Sequence, residues 1–205
     1  MNECQVVSSL IHREFHSGAK GLSVPRYTPA GWWECDLAHV TKAGYLVEYE
    51  VKLTPADFRA DAKKRQRNRY GYQGTRFNEL EPGYKLDLLA SGCPRGPCRF
   101  WYVMPRQMVA LEQIPEWAGV IWVDQPKSRA THSGRLAPWG VRWLWLQSVR
   151  KPRQLHRTKV DQEVVDHMKS VCYYRMIKYY TDAGVVQPIA PSDAPSQESL
   201  DVRHI

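Results

Sequence analysis

No stretch of this 205-residue chain approaches the roughly 18 to 20 unbroken apolar residues that a membrane-spanning helix needs. Its start, Met1-Asn2-Glu3-Cys4, lacks the charged leader and apolar core of a secretory signal, so a cytoplasmic protein without a membrane partner is expected. Paired cysteines are missing too. The five present, at 4, 35, 93, 98 and 172, have no framework spacing, which fits free thiols in a reducing compartment. Cys93 and Cys98 bracket Pro94-Arg95-Gly96-Pro97, and with no second pair downstream they read as a Pro/Gly turn rather than a zinc knuckle. None of the seven histidines forms a paired ligand spacing, and no Ser or Cys stands in the context of a covalent hydrolase. Acidic residues are short: 21 Asp and Glu face 29 Lys and Arg, a net charge of +8 that favours a polyanionic partner.

What is present describes a globular protein, with 43% hydrophobic and 24% charged residues. The length favours one domain over residues 1–183. Residues 184–205, acidic and proline-containing, are expected to form a disordered tail, a candidate contact for a protein partner. Apolar spacing predicts a helix over 3–16, and aromatic and β-branched alternation predicts strands over 32–40 and 45–53. Thr54-Pro55-Ala56-Asp57 supplies an N-cap, a first-turn proline and a first-turn acid for a helix running to about residue 70. A loop over 71–83, a short helix over 86–90, strands over 99–104, 119–123 and 141–147, a short helix near 106–112 and a last helix over 160–180 complete the reading. The order describes an α/β fold, a mixed β-sheet flanked by helices.

Alternation puts Glu34 and Asp36 on one face of the first strand and Glu48, Glu50 and Lys52 on one face of the second. The link Lys42-Ala43-Gly44 suits a three-residue hairpin loop. If Thr41 faces Tyr45, Asp36 lies opposite Glu50 and Glu34 opposite Lys52, about 5 Å apart at Cβ. Facing carboxylates repel, and a divalent cation such as Mg²⁺ or Mn²⁺ is a usual remedy. The competing reading is the solvated side of a two-faced hairpin, and for Glu48 solvent is the expectation. The basic run from 59 to 69 follows, and Arg59, Lys63 and Arg67 form an i,i+4 stripe suited, with Lys64, to a phosphate backbone. Trp33, Trp101, Trp122 and Trp143 fall on strand patterns and are expected in the core.

Asp36 with Glu50-Val51-Lys52 resembles the motif of the PD-(D/E)xK nuclease superfamily, without a proline immediately before Asp36. The run from Glu50 through Asp57-Phe58-Arg59-Ala60-Asp61-Ala62-Lys63 is similar to the MmcB-like branch and its phage relatives, as are Arg99-Phe100-Trp101-Tyr102-Val103-Met104-Pro105 and Ile114-Pro115-Glu116-Trp117-Ala118-Gly119-Val120-Ile121. The resemblance covers about residues 30–125 and implies a restriction-endonuclease-like core. It also implies Mg²⁺, replaceable by Mn²⁺, held by Asp36, Glu50 and the Val51 carbonyl, with Lys52 acting on the attacking water. Glu14 on the first helix and Glu34 on the charged face are further candidate ligands, and Gln66 with Tyr70 resembles a Q-x-x-x-Y element of exonuclease-like members. The implied function is a metal-dependent nuclease hydrolysing DNA, encoded by a phage or mobile element and acting in recombination, repair or host-virus conflict. The alternatives are a catalytically inactive nucleic-acid-binding module and a protein-binding adaptor on the same fold.

Overall fold

The computed structural model describes residues 1–17, 21–29, 32–64, 83–125 and 144–182. Helix α1 (Glu3–His16) opens with a reciprocal cap: the Asn2 side chain accepts from the Gln5 N–H at 2.9 Å, and the Gln5 side chain accepts from the Asn2 N–H at 3.0 Å. Two donors that the first turn leaves without helical partners are thereby satisfied. Val6, Val7 and Leu10 recur on the face that this helix buries.

Six strands follow as one open sheet in the order of the sequence: β1 (Leu22–Tyr27), β2 (Cys35–Val40), β3 (Leu46–Val51), β4 (Arg99–Pro105), β5 (Gly119–Asp124) and β6 (Trp145–Arg150). β3, β4 and β5 run parallel, while β1, β2 and β6 pair antiparallel with their neighbours. The fold is α/β, a mixed sheet flanked by helices. Parallel pairing demands crossovers. The β3–β4 crossover carries α2 (Pro55–Asp61) and α3 (Lys85–Ala90), and the β4–β5 crossover carries a 3-10 turn at Leu111–Gln113. Helix α4 (Gln162–Asp182) closes the order.

The hairpin register is the one the loop indicates. Leu37 pairs with Tyr49, Ala38 with Glu48, His39 with Val47 and Val40 with Leu46. Gly44 takes the φ of +84° that closes the loop, and the Thr41 N–H reaches the Tyr45 carbonyl at 2.9 Å.

Each sheet face has its own core. Under α1 lie Leu37, Val47, Tyr49, Val51, Trp101, Val103, Ile121 and Val123. On the opposite face Phe100, Tyr102, Met104 and Val120 pack with Leu89 of α3 and with Val109, Ile114 and Ala118 of the β4–β5 connection. Each fully buried aliphatic or aromatic side chain contributes about 1.5 to 3 kcal/mol.

Several expectations are corrected. β1 was not indicated by the sequence. The helix expected to reach residue 70 ends at Asp61 and is followed by a turn, and residues 65–82 lie outside the described residues. The last strand occupies Trp145–Arg150 rather than 141–147, and the short helix near 106–112 is only the 3-10 turn. The two-faced hairpin is also overturned, since every residue of β3 is buried. As an interior strand, β3 has helices on both sides.

All five cysteines are free, and the Gly96 N–H closes onto the Cys93 carbonyl at 3.0 Å in a plain turn. Among the described residues no helix is long and apolar enough to cross a membrane. The chain divides into two compact units, Met1–Met168 and Lys169–Ile205. The first holds the sheet. The described part of the second is the C-terminal portion of α4, where Tyr173, Tyr174, Met176, Ile177, Tyr179 and Tyr180 are exposed. The tail expected at 184–205 lies outside the described residues.

Candidate active site

Residues 48, 50 and 52 share the sheet face turned away from α1, and the β3–β4 crossover folds down on that face. Glu48, Glu50 and Lys52 are therefore 1%, 2% and 2% exposed. Buried charge is tolerable only when paired and hydrogen-bonded. The crossover delivers the partners. Lys85, fully buried at the first position of α3, places its ammonium 2.6 Å from Glu48 Oε1 and 3.0 Å from Glu50 Oε2. The Trp32 indole N–H donates to Glu48 Oε2 at 3.0 Å. Lys52 Nζ donates to Glu50 Oε1 at 2.8 Å and lies 3.0 Å from Asp61 Oδ1 and 3.6 Å from Asp57 Oδ1, both on α2. The Tyr102 hydroxyl on β4 donates to Asp61 Oδ2 at 2.9 Å. Lys64, just beyond α2, contacts both Glu50 Oε1 and Asp61 Oδ1.

Asp36 completes the group from β2. Backbone groups along β3 alternate between neighbours: Tyr45 bonds toward β2, whereas Leu46 and Lys52 bond toward β4. Val51 is therefore turned to β2, and its N–H is taken by Asp36 Oδ2 at 2.6 Å. The Asp36 carboxylate thus stands where the β2–β3 ladder ends, on the face of Glu50, with the Val51 carbonyl aimed at the same edge.

The electrostatics separate the two acids. Burial raises the Asp36 carboxyl, the Glu50 charge adds to it, and the group titrates at about 7. Burial pushes Glu50 the same way, but the ammoniums of Lys85, Lys52 and Lys64 outweigh it and hold that carboxyl well below the usual range. For Lys52 and Lys85 burial favours the neutral amine, yet the surrounding carboxylates, Glu50 and Asp61 foremost for Lys52 and Glu48 and Glu50 for Lys85, keep both protonated.

The residues expected from sequence sort as follows. Asp36, Glu50, Lys52 and the Val51 backbone are brought together. Glu14 is not: its carboxylate accepts from the Tyr49 hydroxyl at 2.9 Å and approaches His39 Nε2 at 4.0 Å, on the α1 face, with the sheet between it and Glu50. Glu34 stands exposed ahead of β2, where its charge acts on Arg26 of β1, and it contacts none of the cluster among the described residues. Arg59 and Lys63 are exposed and border a shallow depression with Ala56 and Ala60. Lys64 is instead turned inward. Gln66, Arg67 and Tyr70 lie outside the described residues. Glu48, expected in solvent, is buried. Lys85, Asp61, Tyr102 and Trp32 were not anticipated as site residues, and only Asp61, inside the D-F-x-x-D-x-K run, carried a sequence signal.

Among the described residues no group of three or more His, Cys, Asp and Glu side chains is gathered for a metal ion. The protein's own donors at the edge of β2 and β3 are two carboxylates and one carbonyl. These are hard oxygens, and the unfavourable charge on Asp36 beside Glu50 is what a divalent cation relieves, so the set fits Mg²⁺ or Mn²⁺.

No family model matches this chain, and neither does any curated protein. A solved structure of a protein of unknown function from Silicibacter pomeroyi is similar, with a TM-score of 0.52 at 14% identity over 93% of this chain and 99% of that one, a likeness of fold alone.

Proposed function

We propose that the protein is a metal-dependent nuclease that hydrolyses DNA phosphodiester bonds. The observation that carries this reading is that Asp36 takes the Val51 N–H at the end of the β2–β3 ladder, near enough to Glu50 to feel its charge, with the Lys52 ammonium 2.8 Å from Glu50. Asp36, Glu50 and the Val51 carbonyl would hold Mg²⁺ or Mn²⁺. Such an ion, when bound, supplies Lewis acidity to a phosphoryl oxygen and acidifies a water. The chain's own groups do the rest. Glu50 and Asp61 pin the Lys52 ammonium between β3 and α2, a preorganised positive charge for an oxyanion developing on phosphorus. Arg59 on α2 and Lys63 in the turn just after it are both exposed and placed to follow the phosphate backbone.

One observation favours a second reading. Both Glu50 oxygens already accept from lysines, Oε1 from Lys52 and Lys64 and Oε2 from Lys85. If that network is permanent, the protein binds nucleic acid without cutting it.

A cleavage assay separates the two. Purified protein is incubated with supercoiled, linear and single-stranded DNA and with RNA, in Mg²⁺, Mn²⁺ or EDTA, beside Asp36→Asn. That variant keeps an acceptor for the Val51 N–H while removing the charge. Cleavage of DNA that EDTA and Asp36→Asn both abolish is the expected result. DNA binding with no cleavage in either metal supports the second reading, and equal cleavage by both proteins refutes the site.

A further inference from the structure

Glu50 Oε1 receives two ammoniums, and they are not equivalent. Lys52 is locked from all sides, its side chain 3% accessible and shared among Glu50, Asp61 and Asp57. Lys64 reaches the same oxygen from beyond the end of α2 with 35% of its side chain still in contact with solvent. Its backbone is anchored independently, since the Lys85 N–H donates to the Lys64 carbonyl at 3.0 Å. The side chain can therefore leave while the chain path stays.

The charges also balance with Lys64 in place. With the half-exposed Asp57 left to solvent, Lys52, Lys64 and Lys85 match the three buried carboxylates Glu48, Glu50 and Asp61. Asp36 adds a further, largely buried acid from β2, and its described contact is a backbone N–H. A divalent ion shared by Asp36 and Glu50 brings two positive charges to a cluster short by one, and it needs an oxygen of Glu50. Of the three lysines, Lys64 alone has a path to water.

Resting on the metal-site reading above, we propose that Lys64 and a divalent cation exchange at Glu50: Lys64 holds the carboxylate until the ion binds, and its ammonium is then released to solvent beside Arg59 and Lys63 as a further contact for a phosphate backbone. Loading of the site and freeing of Lys64 are one event.

The test measures Mn²⁺ binding by titration of the full chain, followed by the paramagnetic signal of the free ion and needing no turnover. Lys64→Met is expected to bind Mn²⁺ about fivefold more tightly than the unaltered protein, the upper end of what one solvent-accessible ion pair is worth. Lys42→Met removes the same charge from the exposed hairpin loop and is expected to match the unaltered protein. Asp36→Asn is expected to bind none. Equal or weaker binding by Lys64→Met, with the unaltered protein binding, overturns the exchange and leaves the metal site standing. If neither protein binds Mn²⁺ while circular dichroism shows both folded, the metal-site reading itself fails and the exchange with it. A second measurement needs no variant: amine acetylation of Lys64, read by mass spectrometry against Lys42, is expected to rise several-fold when Mn²⁺ is added. Unchanged labelling with Mn²⁺ bound contradicts the exchange.

Discussion

Asp36 carries a charge that the fold does not favour. Its carboxyl is raised to about 7 by burial and by Glu50, against roughly 4 in an unfolded chain. The folded state therefore holds the proton more tightly than the unfolded one. The stability linked to that proton is present below about pH 4 and is lost as pH rises through about 7. Asp36→Asn removes the loss, so the variant's stability relative to the parent is expected to increase between pH 4 and pH 8 by on the order of 2 kcal/mol in urea denaturation. A difference that does not change with pH would show that Asp36 is not strained. Lys85 presents the opposite case, a buried ammonium that two carboxylates need. Lys85→Met leaves the buried Glu48 carboxylate without its ammonium, while Glu50 keeps Lys52 and Lys64, and is expected to cost about 3 to 5 kcal/mol, partly restored by adding Glu48→Gln. Urea midpoints of the single and double variants measure both effects. Asp36, Glu50 and Lys52 were legible in the sequence because strand alternation and the hairpin register put them on one face. Lys85 and Tyr102 were not, because their nearness to Glu50 depends on how β4 and α3 pack, which no local pattern encodes. Glu48 was misjudged for the same reason: alternation tells which face a residue takes, not what covers it.

At the scale of elements, the hairpin and the centre of the sheet are tuned differently by their glycines. Gly44 needs its positive φ, but a Cβ there would meet the Lys159 side chain at an ordinary 3.7 Å. Gly119, at the start of β5, has the Trp101 indole pressed against it, so a Cβ would run into the ring. Gly44→Ala is expected to cost about 1 kcal/mol, from backbone conformation alone. Gly119→Ala is expected to cost more, about 1 to 3 kcal/mol, because overpacking shifts β4 against β5. Chemical denaturation of the two variants ranks them, and a reversed order would contradict the packing described. α1, the hairpin, α3, β4 and β5 were readable because period and punctuation agree: a helical apolar stripe in α1, a loop glycine at 44, and Gly92 with φ of +73° past α3. β1 was hidden by Pro25 and by Arg26, whose φ is +47°. A proline is admissible there because, among the described residues, β1 is an edge strand that pairs with β2 alone. The helix after Thr54 was overextended because its composition holds no breaker to mark the stop at Asp61. That stop lets the backbone turn and Lys64 reach back to Glu50.

For the whole molecule, the net charge of +8 stands beside an active-site candidate in which acids and lysines nearly cancel. Among the described residues Arg59 and Lys63 lie exposed beside the cluster, positive charge that on the proposed reading would draw a polyanion toward a site that is not itself cationic. The central claim is that Asp36 and Glu50 share one cation beside Lys52. Crystals of the full chain soaked in Mn²⁺ and measured at the manganese edge test it most directly. The expected result is an anomalous peak about 2.2 Å from a carboxylate oxygen of each residue and from the Val51 carbonyl, with Lys64 withdrawn from Glu50. Soaked crystals with no peak at that edge, and with Lys52 and Lys64 both still on Glu50 Oε1, would contradict it.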